Sequence, residues 1–371
     1  MKIICDTKLL SSAVTKVFRA VSSKSTMPIL EGILISAQDN KITLSGYDLE
    51  IGIVTQIEAV VYKTGSIVLN AKLLSDIVRS APASEISISV DEKNTAIINS
   101  GISQFSICAQ DSLEYPQMPV FNNDDNIIIN AGILKNMIDQ TLFAIATNDI
   151  KPVHTGSLME CENNILTLVS VDGVKLALKK TQINYNNNKS IVIPGKTLFE
   201  VSKLITDFDS QIKISISDKH VIFELSDCKV ISRLLEGDFL DYKSSIPQSH
   251  LTEIIISPKD LIESIERTSI VILDKLKAPI KFVLDENLIR FSCQAPTGNS
   301  YDELSCKING NLFEIGFNSK ALLDALKVIN DENIKLLLNG PLSPMKITPI
   351  DSEEFIFLVL PVRIKNDDKT E

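Results

Sequence analysis

Two patterns of hydrophobic and polar residues alternate along this chain. Short runs such as EISISV, from Glu85, alternate apolar and polar residues and predict strands. The segment AKLLSDIVRS, from Ala71, has apolar residues three and four positions apart and predicts an amphipathic helix. Strands and helices of this kind, joined by short polar connections, predict an α+β fold in which helices cover one side of antiparallel sheets.

The same order of elements returns three times. A strand, a break and an amphipathic helix begin at Ile67, Ile191 and Phe313, and an opening strand followed by a capped helix begins at Lys2, Ile127 and Ile254. The predicted helix caps of these openings are Asp6, Asn130 and Ser257. The chain is therefore predicted to build one unit of two helices and about eight strands three times, as domains 1–121, 122–251 and 252–371.

Basic residues recur at equivalent positions of the second helix of each unit. Two triplets each keep a spacing of 124 residues: Lys72, Lys196 and Lys320, and Arg79, Lys203 and Lys327. The two cations of one helix are two turns apart, so they share a face, opposite an apolar stripe predicted to contain Leu73, Leu74, Ile77 and Val78. Three equivalent basic faces favour a long, negatively charged partner, although any single residue is equally well explained as an ordinary solvated charge.

Composition limits the class of protein. The 44% hydrophobic content is that of a folded chain, and no apolar run reaches the roughly 18 residues of a membrane span. The N-terminal sequence lacks the apolar core of a secretion signal, and the six cysteines contain no CxxC pair, which predicts free thiols in the cytoplasm. The net charge of −10 argues only weakly against nucleic acid, because binding depends on where the positive groups lie.

No catalytic motif is visible in the sequence. The string GKT at 195–197 imitates the end of a phosphate-binding loop, but Ser190 stands where that loop needs its first glycine. Asp172 has no carboxylate partner at acid/base spacing and is better explained as a turn former. His154 lacks ligand spacing to the other two histidines, His220 and His250. We therefore predict neither enzymatic activity nor a metal or cofactor.

Several stretches resemble the DNA polymerase III beta subunit family, the bacterial DNA sliding clamps, in order and spacing. They are AVSSKSTMPILEGILI from Ala20, IVIPGKTLFEVSKL from Ile191, KVISRLLEGDFLDY from Lys229, EIGFNSKALLDALK from Glu314 and LVLPVRI from Leu358. The resemblance implies a head-to-tail dimer forming a six-domain ring with helices lining the pore. It also implies a processivity factor that slides on duplex DNA without sequence preference. The alternative is a divergent paralogue or interaction scaffold with weakened polymerase binding.

The family's partners would be double-stranded DNA, the DNA polymerase III core, the clamp loader, and other polymerases and repair proteins that carry a clamp-binding motif. The resemblance and the repeated basic faces together assign an inner, DNA-facing surface. Its predicted members are Lys16, Lys24, Lys72, Arg79, Asn148, Lys196, Lys203, Arg267, Lys320 and Lys327.

The resemblance also implies how two subunits join. Phe105 and Ile107, on an edge strand of the first domain, would meet Ile270 and Val271 of the other subunit's third domain. Asp302 and Glu303 would face basic groups nearby. The alternative is that the alternating run SQFSIC places Phe105 and Ile107 in the core of one domain.

In the family, partners insert a short peptide into an apolar pocket between the second and third domains. Its matching positions here are His154, Val171, Gly173, Val174, Lys175, Leu176, Leu240, Ser244, Ser343, Leu358, Leu360, Pro361, Val362 and Arg363. This chain departs from the family at five of these positions. His154 stands where the family usually has a Leu, Val174 where it has a Tyr or His, and Lys175 where it has an Arg. Leu240 replaces a Pro, and Ser244 replaces an Arg or Gln. Lysine cannot reproduce the planar fork of a guanidinium, so different partner motifs are expected.

Overall fold

A computed structural model describes residues 1–22, 24–119, 121, 125–147, 151–272 and 278–364. Its contacts divide the chain into two compact units. The first, unit 1, contains residues 1–134 and 196–234, and the second, unit 2, contains residues 135–195 and the chain from Leu235 onward. The second sequence repeat thus contributes strands to both units.

Helices recur at the predicted places. They are α1 Thr7–Phe18, α2 Ala71–Ser80, α3 Ala131–Asp139, α4 Gly195–Leu204, α5 Tyr242–Ser245, α6 Pro258–Ser269 and α7 Ser319–Leu326. The predicted caps are confirmed, because Asp6, Asn130 and Ser257 each accept a hydrogen bond from a backbone N–H three residues later, at 2.9, 3.1 and 3.3 Å. The short helix α5 was not predicted, since four residues are too few to show a helical period.

The strands follow in chain order. The first repeat contains β1 Lys2–Asp6, β2 Gly32–Gln38, β3 Lys41–Tyr47, β4 Ile51–Glu58, β5 Val60–Lys63, β6 Gly65–Asn70, β7 Glu85–Val90, β8 Thr95–Ser100 and β9 Ser103–Asp111. The second contains β10 Asn126–Asn130, β11 Gly156–Glu162, β12 Ile165–Val171, β13 Lys175–Gln182, β14 Lys189–Pro194, β15 Gln211–Ile216, β16 His220–Glu224 and β17 Cys228–Arg233. The third contains β18 Thr252–Ile256, β19 Ile280–Asp285, β20 Leu288–Ala295, β21 Gly298–Ser305, β22 Lys307–Gly310, β23 Glu314–Phe317, β24 Ile334–Leu338, β25 Met345–Pro349 and β26 Phe355–Val359.

The pairing of strands explains why the second sequence repeat is divided between unit 1 and unit 2. In unit 1 a thirteen-stranded sheet has the order β10-β15-β16-β17-β4-β3-β2-β6-β9-β8-β7-β1-β5. Its antiparallel β17–β4 pairing joins the end of the second repeat to the first. Unit 2 has a nine-stranded sheet, β14-β11-β12-β13-β26-β25-β24-β18-β22, and a four-stranded sheet, β21-β20-β19-β23. The antiparallel β13–β26 pair joins the second repeat to the third.

An identical turn marks the repeat in both units. The Oδ1 atom of Asp48 accepts two backbone N–H bonds at 3.0 and 2.8 Å, and Oδ1 of Asp172 accepts two at 2.9 and 2.7 Å; the donors are Glu50, Ile51, Val174 and Lys175. The prediction that Asp172 forms a turn is therefore confirmed. Position 173 is a glycine with a φ of 82° and its counterpart Leu49 has a φ of 76°, so the turn needs a left-handed residue there.

The apolar stripe of α2 is narrower than predicted. Leu74, Ile77 and Val78 are buried, but Leu73 is 51% exposed. Each helical residue turns by about 100°, so Leu73, although four positions before Ile77, lies about 40° beyond it, on the side away from Leu74 and Val78.

No disulfide joins any of the six cysteines. Burial raises the pKa of Cys5 and Cys228 to about 12, which leaves both thiols protonated and unreactive at neutral pH. No helix in the described part of the chain combines the length and apolar character needed to span a membrane.

Candidate nucleic-acid and partner-binding sites

The basic residues of α2 border a groove in unit 1. Lys72 and Arg79 are both exposed, on the side of α2 opposite its buried stripe. A cavity of about 560 Å³ lies beside α1 and α2 and is lined by Thr15, Phe18, Lys72, Ser75, Asp76 and Arg79. The Arg79 guanidinium lies 3.1 Å from the Asp76 carboxylate. The groove thus presents two cations and one exposed aromatic ring to solvent.

Helix α4 repeats this arrangement in unit 1. Lys196 and Lys203 are exposed, whereas Leu198 is fully buried. The Lys196 ammonium is bound by the Asp48 carboxylate. The Lys203 ammonium lies 5.4 Å from the centre of the Phe199 ring, close enough for a cation–π interaction.

Helix α1 adds two further cations to unit 1. Lys16 is half-buried and forms an ion pair with Asp227, and Arg19 lies 3.0 Å from Glu200. Arg19 was missed by sequence reasoning. Its spacing of three residues from Lys16, which puts both on neighbouring positions of one helix face, could have indicated it.

Unit 2 carries the remaining helix cations. On α6, the Arg267 guanidinium lies 2.8 Å from Asp302. Directly after α7, the Lys327 ammonium lies 2.7 Å from Glu266, while Lys320 at the start of that helix is exposed. Each of these cations is therefore on a helix surface that faces solvent within its own unit.

Two further DNA contacts, Lys24 and Asn148, were predicted from the family resemblance. Lys24 is exposed, and its carbonyl oxygen accepts a hydrogen bond from the Ser22 hydroxyl at 2.9 Å. Asn148 lies outside the described residues, so its assignment stays a prediction.

The predicted subunit-contact residues lie on or beside edge strands. In unit 1, β9 pairs with β6 only through residues 109–111, so Phe105 and Ile107 lie on a segment whose one paired neighbour among the described strands is β8. Both side chains are half-buried, neither wholly core nor exposed. An unpaired edge with partly covered apolar side chains is suited to pairing with another chain.

In unit 2, β21 is one of the two edge strands of the four-stranded sheet. Ile270, at the C-terminal end of α6, is a strongly exposed isoleucine, and Val271 beside it is half-buried. Asp302 is bound by Arg267 of the same chain, and Glu303 lies 3.6 Å from Arg290. The basic partners of these two acids are thus already present within one subunit.

Several predicted pocket residues of unit 2 do come together. Val171, Leu176 and Leu358 belong to one buried apolar cluster, in which Leu176 pairs with Leu358 across β13 and β26. The Leu360 N–H donates to the Val174 carbonyl at 2.9 Å, which continues that pairing past the end of β26. Sequence reasoning missed three members that pack on the same cluster, Phe239, Tyr242 and Ile246, although they lie in or next to the matching stretch KVISRLLEGDFLDY.

The departures from the family pattern have specific surroundings. Lys175 is nearly buried, and its ammonium lies 2.8 Å from Asp324, 3.4 Å from Asp172 and 5.7 Å from the centre of the Phe143 ring. The His154 ring packs edge-on against Phe239, with the ring centres 5.8 Å apart. The charge of Lys175 is therefore neutralised by carboxylates of the same chain and does not require an acidic residue from a partner.

Polar contacts are made by the cluster member Tyr242 and by two predicted pocket residues, Ser244 and Ser343. The Tyr242 hydroxyl donates to Glu160 at 2.6 Å, and burial together with that carboxylate raises the pKa of Tyr242, so the hydroxyl remains a donor. Ser244 lies in α5, where its N–H donates to the capping residue Asp241. The Ser343 N–H closes a turn onto Gly340.

Three apolar side chains of the predicted pocket remain at the surface: Val174, Leu240 and Leu360 are each about two-fifths exposed, at 43, 42 and 40%. Beyond β26, Pro361 is half-buried, the Val362 N–H donates to the Gly316 carbonyl at 2.8 Å, and Arg363 is exposed. Buried leucines with exposed apolar neighbours form a surface suited to an apolar peptide side chain. Among the described residues, no group of three or more His, Cys, Asp or Glu side chains could hold a metal ion.

Comparison with known proteins gives the class and then the family. Models of the N-terminal, central and C-terminal domains of the DNA polymerase III beta subunit match residues 1–119, 128–241 and 243–363. Three such domains with helix-borne cations define a DNA clamp. The chain belongs to the DNA polymerase III beta subunit family, as its sequence predicted.

Individual relatives agree over nearly the whole chain. The beta sliding clamp of Bacillus subtilis strain 168 is 33% identical over 376 residues, which cover 98% of this chain and 100% of that protein. The crystal structure of the Bacillus subtilis DNA polymerase sliding clamp superposes with a TM-score of 0.96 at 33% identity, covering 98% and 100%. The Pseudomonas aeruginosa DnaN sliding clamp bound to griselimycin has a TM-score of 0.93 at 26% identity, with the same coverage. The predicted fold of clamp-type domains with antiparallel sheets is confirmed.

Proposed function

We propose that this protein is a DNA-encircling processivity factor. Two head-to-tail subunits form a ring that tethers the replicative polymerase to duplex DNA and slides along it without sequence preference. The observation that carries this proposal is the match of all three domains to the sliding-clamp family, joined to exposed cations at equivalent positions of α2, α4 and α7. The protein acts as an accessory subunit and not as an enzyme, and no observation favours the paralogue or scaffold alternative.

The chemistry of the helix cations suits a sliding contact. Lysine and arginine bind phosphate oxygens, which carry no base sequence, so such contacts hold the duplex without fixing its register. Each phosphate neutralised contributes about 0.9 to the dependence of log affinity on log salt. Retention on DNA is then topological, and each contact can be weak.

The apolar cluster of unit 2 is where we place protein partners. The polymerase III core, the clamp loader, and other polymerases and repair proteins would each insert a short motif beside Val174, Leu240 and Leu360. Burial of one leucine or phenylalanine side chain contributes about 1.5–3 kcal/mol. Since its proposed partners are duplex DNA and the DNA-replication proteins, we infer that the protein acts in the cytoplasm.

Comparison of circular with linear DNA distinguishes a ring that encircles the duplex from a protein that binds its surface. We expect protein loaded by a clamp loader onto nicked circular DNA to remain bound during gel filtration and to be lost once the DNA is cut to a linear form. Equal loss from circular and linear DNA at moderate salt would refute the proposal, because a ring can leave only through a free end.

Charge reversal of α4 tests the inner-surface assignment. The pair Lys196→Glu and Lys203→Glu should weaken binding of the dimer to a short duplex and lower the salt slope by roughly 3 to 4, from two phosphate contacts in each of two subunits. Fluorescence anisotropy at several salt concentrations measures both. The matched control is Lys213→Glu with Lys229→Glu, an equal charge change on β15 and β17 of the same unit. If both pairs weaken binding equally, α4 is not the DNA contact.

A further inference from the structure

Several of the helix cations, both those assigned to DNA and Arg19 beside them, are held by acids of the same chain. In unit 1, Asp48 binds Lys196, Glu200 binds Arg19 at 3.0 Å and Asp227 binds Lys16. In unit 2, Lys327 lies 2.7 Å from Glu266 and Arg267 lies 2.8 Å from Asp302. A phosphate that approaches one of these five cations must therefore compete with a carboxylate for it.

Two of these acids are fixed in place. The Asp48 side chain is only 10% exposed, and its Oδ1 atom accepts the backbone N–H groups of Glu50 and Ile51, which leaves Oδ2 directed at Lys196. The Glu200 side chain is 13% exposed. By contrast, both members of the Arg79–Asp76 pair are more than half exposed, so that pair is free to open. Asp48 and Glu200 are thus preformed acceptors rather than chance neighbours on the surface.

We propose that Asp48 and Glu200 limit the affinity of this protein for duplex DNA. Each carboxylate offers its cation an alternative acceptor, so moving from one phosphate to the next exchanges one ion pair for another instead of breaking a lone contact. Affinity per contact is lowered and movement along the duplex becomes easier. The inference rests on the proposed DNA-encircling function and adds that two acids of unit 1 regulate it.

The test removes the charge and keeps the shape. Asp48→Asn retains the oxygen that accepts the two turn hydrogen bonds but is neutral. Exposed to partly buried ion pairs are worth about 0.2–1 kcal/mol, so this variant should bind a short labelled duplex about 1.4- to fivefold more tightly for each pair removed. Single-molecule tracking of the loaded dimer should show slower diffusion on DNA. Glu200→Gln, which has no role in a turn, should change both measurements in the same direction.

A matched control separates a local effect from a change of net charge. Glu224 accepts Lys213 and Lys229 at 3.8 and 3.2 Å on the strands β15 to β17, so Glu224→Gln alters the net charge equally without touching a helix cation. If Asp48→Asn and Glu200→Gln bind DNA no more tightly than Glu224→Gln, the inference is wrong.

A double-mutant cycle identifies the cation through which Asp48 acts. In a Lys196→Ala background, Asp48→Asn should bring no gain in affinity, because the competition it removes no longer exists. A gain of the same size in that background would overturn the inference. Failure of the proposed function is a separate result: the unmodified protein would then leave circular DNA as fast as linear DNA, whatever these variants do.

Discussion

Replacing Ile270 with aspartate is expected to separate the ring into single subunits that leave circular DNA. Ile270 is 76% exposed within one chain, so an aspartate there costs the fold of the subunit little. In the proposed head-to-tail ring, a second subunit would cover this side chain. An uncompensated carboxylate in that contact should cost about 2 kcal/mol or more, which weakens dimerisation at least about thirtyfold.

Sedimentation velocity across a dilution series measures the loss of the dimer, and retention on nicked circular DNA measures its consequence. Leu113→Asp is the matched control, since Leu113 is 89% exposed and lies just after β9. A dimer of unchanged affinity in the Ile270→Asp variant would remove α6 from the subunit contact and leave only the β9 edge as a candidate.

Local chemistry explains what the sequence could predict. Asp6, Asn130 and Ser257 cap helices because a short oxygen-bearing side chain binds an orphan N–H of the first turn, which needs no tertiary information. The Asp172 turn is equally local. Regular spacing of basic residues likewise placed Lys72, Lys196 and Lys320 on exposed helix faces.

Contacts between distant segments could not be predicted in this way. The pairing of β17 with β4, the ion pair of Lys196 with Asp48, and the neutralisation of Lys175 by Asp324 each join residues more than 140 positions apart. Each depends on how sheets from successive repeats adjoin, and no periodicity in one segment records that. The consequence is physical: cations that looked free in the sequence have intramolecular partners.

Replacing Val174 and Leu360 with glutamate is expected to abolish capture of partner peptides while the ring still forms and stays on DNA. The two residues are joined by a backbone hydrogen bond of 2.9 Å, which lies two residues along the chain from each member of the buried Leu176–Leu358 pair of β13 and β26. Since each is about two-fifths exposed, a charge there reaches solvent when the site is empty and disturbs the fold little. A bound apolar side chain would bury that charge unpaired, so each substitution should weaken peptide binding at least about tenfold.

Anisotropy with a labelled peptide that carries a clamp-binding motif measures this affinity, and primer extension measures the loss of polymerase processivity. Leu312→Glu, at a similarly exposed leucine outside the cluster, is the control. Lys175 should contribute little to peptide affinity, because a cation already bound by Asp324 and Asp172 adds little attraction for an acidic peptide. Substituting an acidic residue of the peptide should therefore change its affinity less than substituting its apolar anchors. An equal or larger effect of the acidic residue would mean that Lys175 leaves its carboxylates to bind the partner.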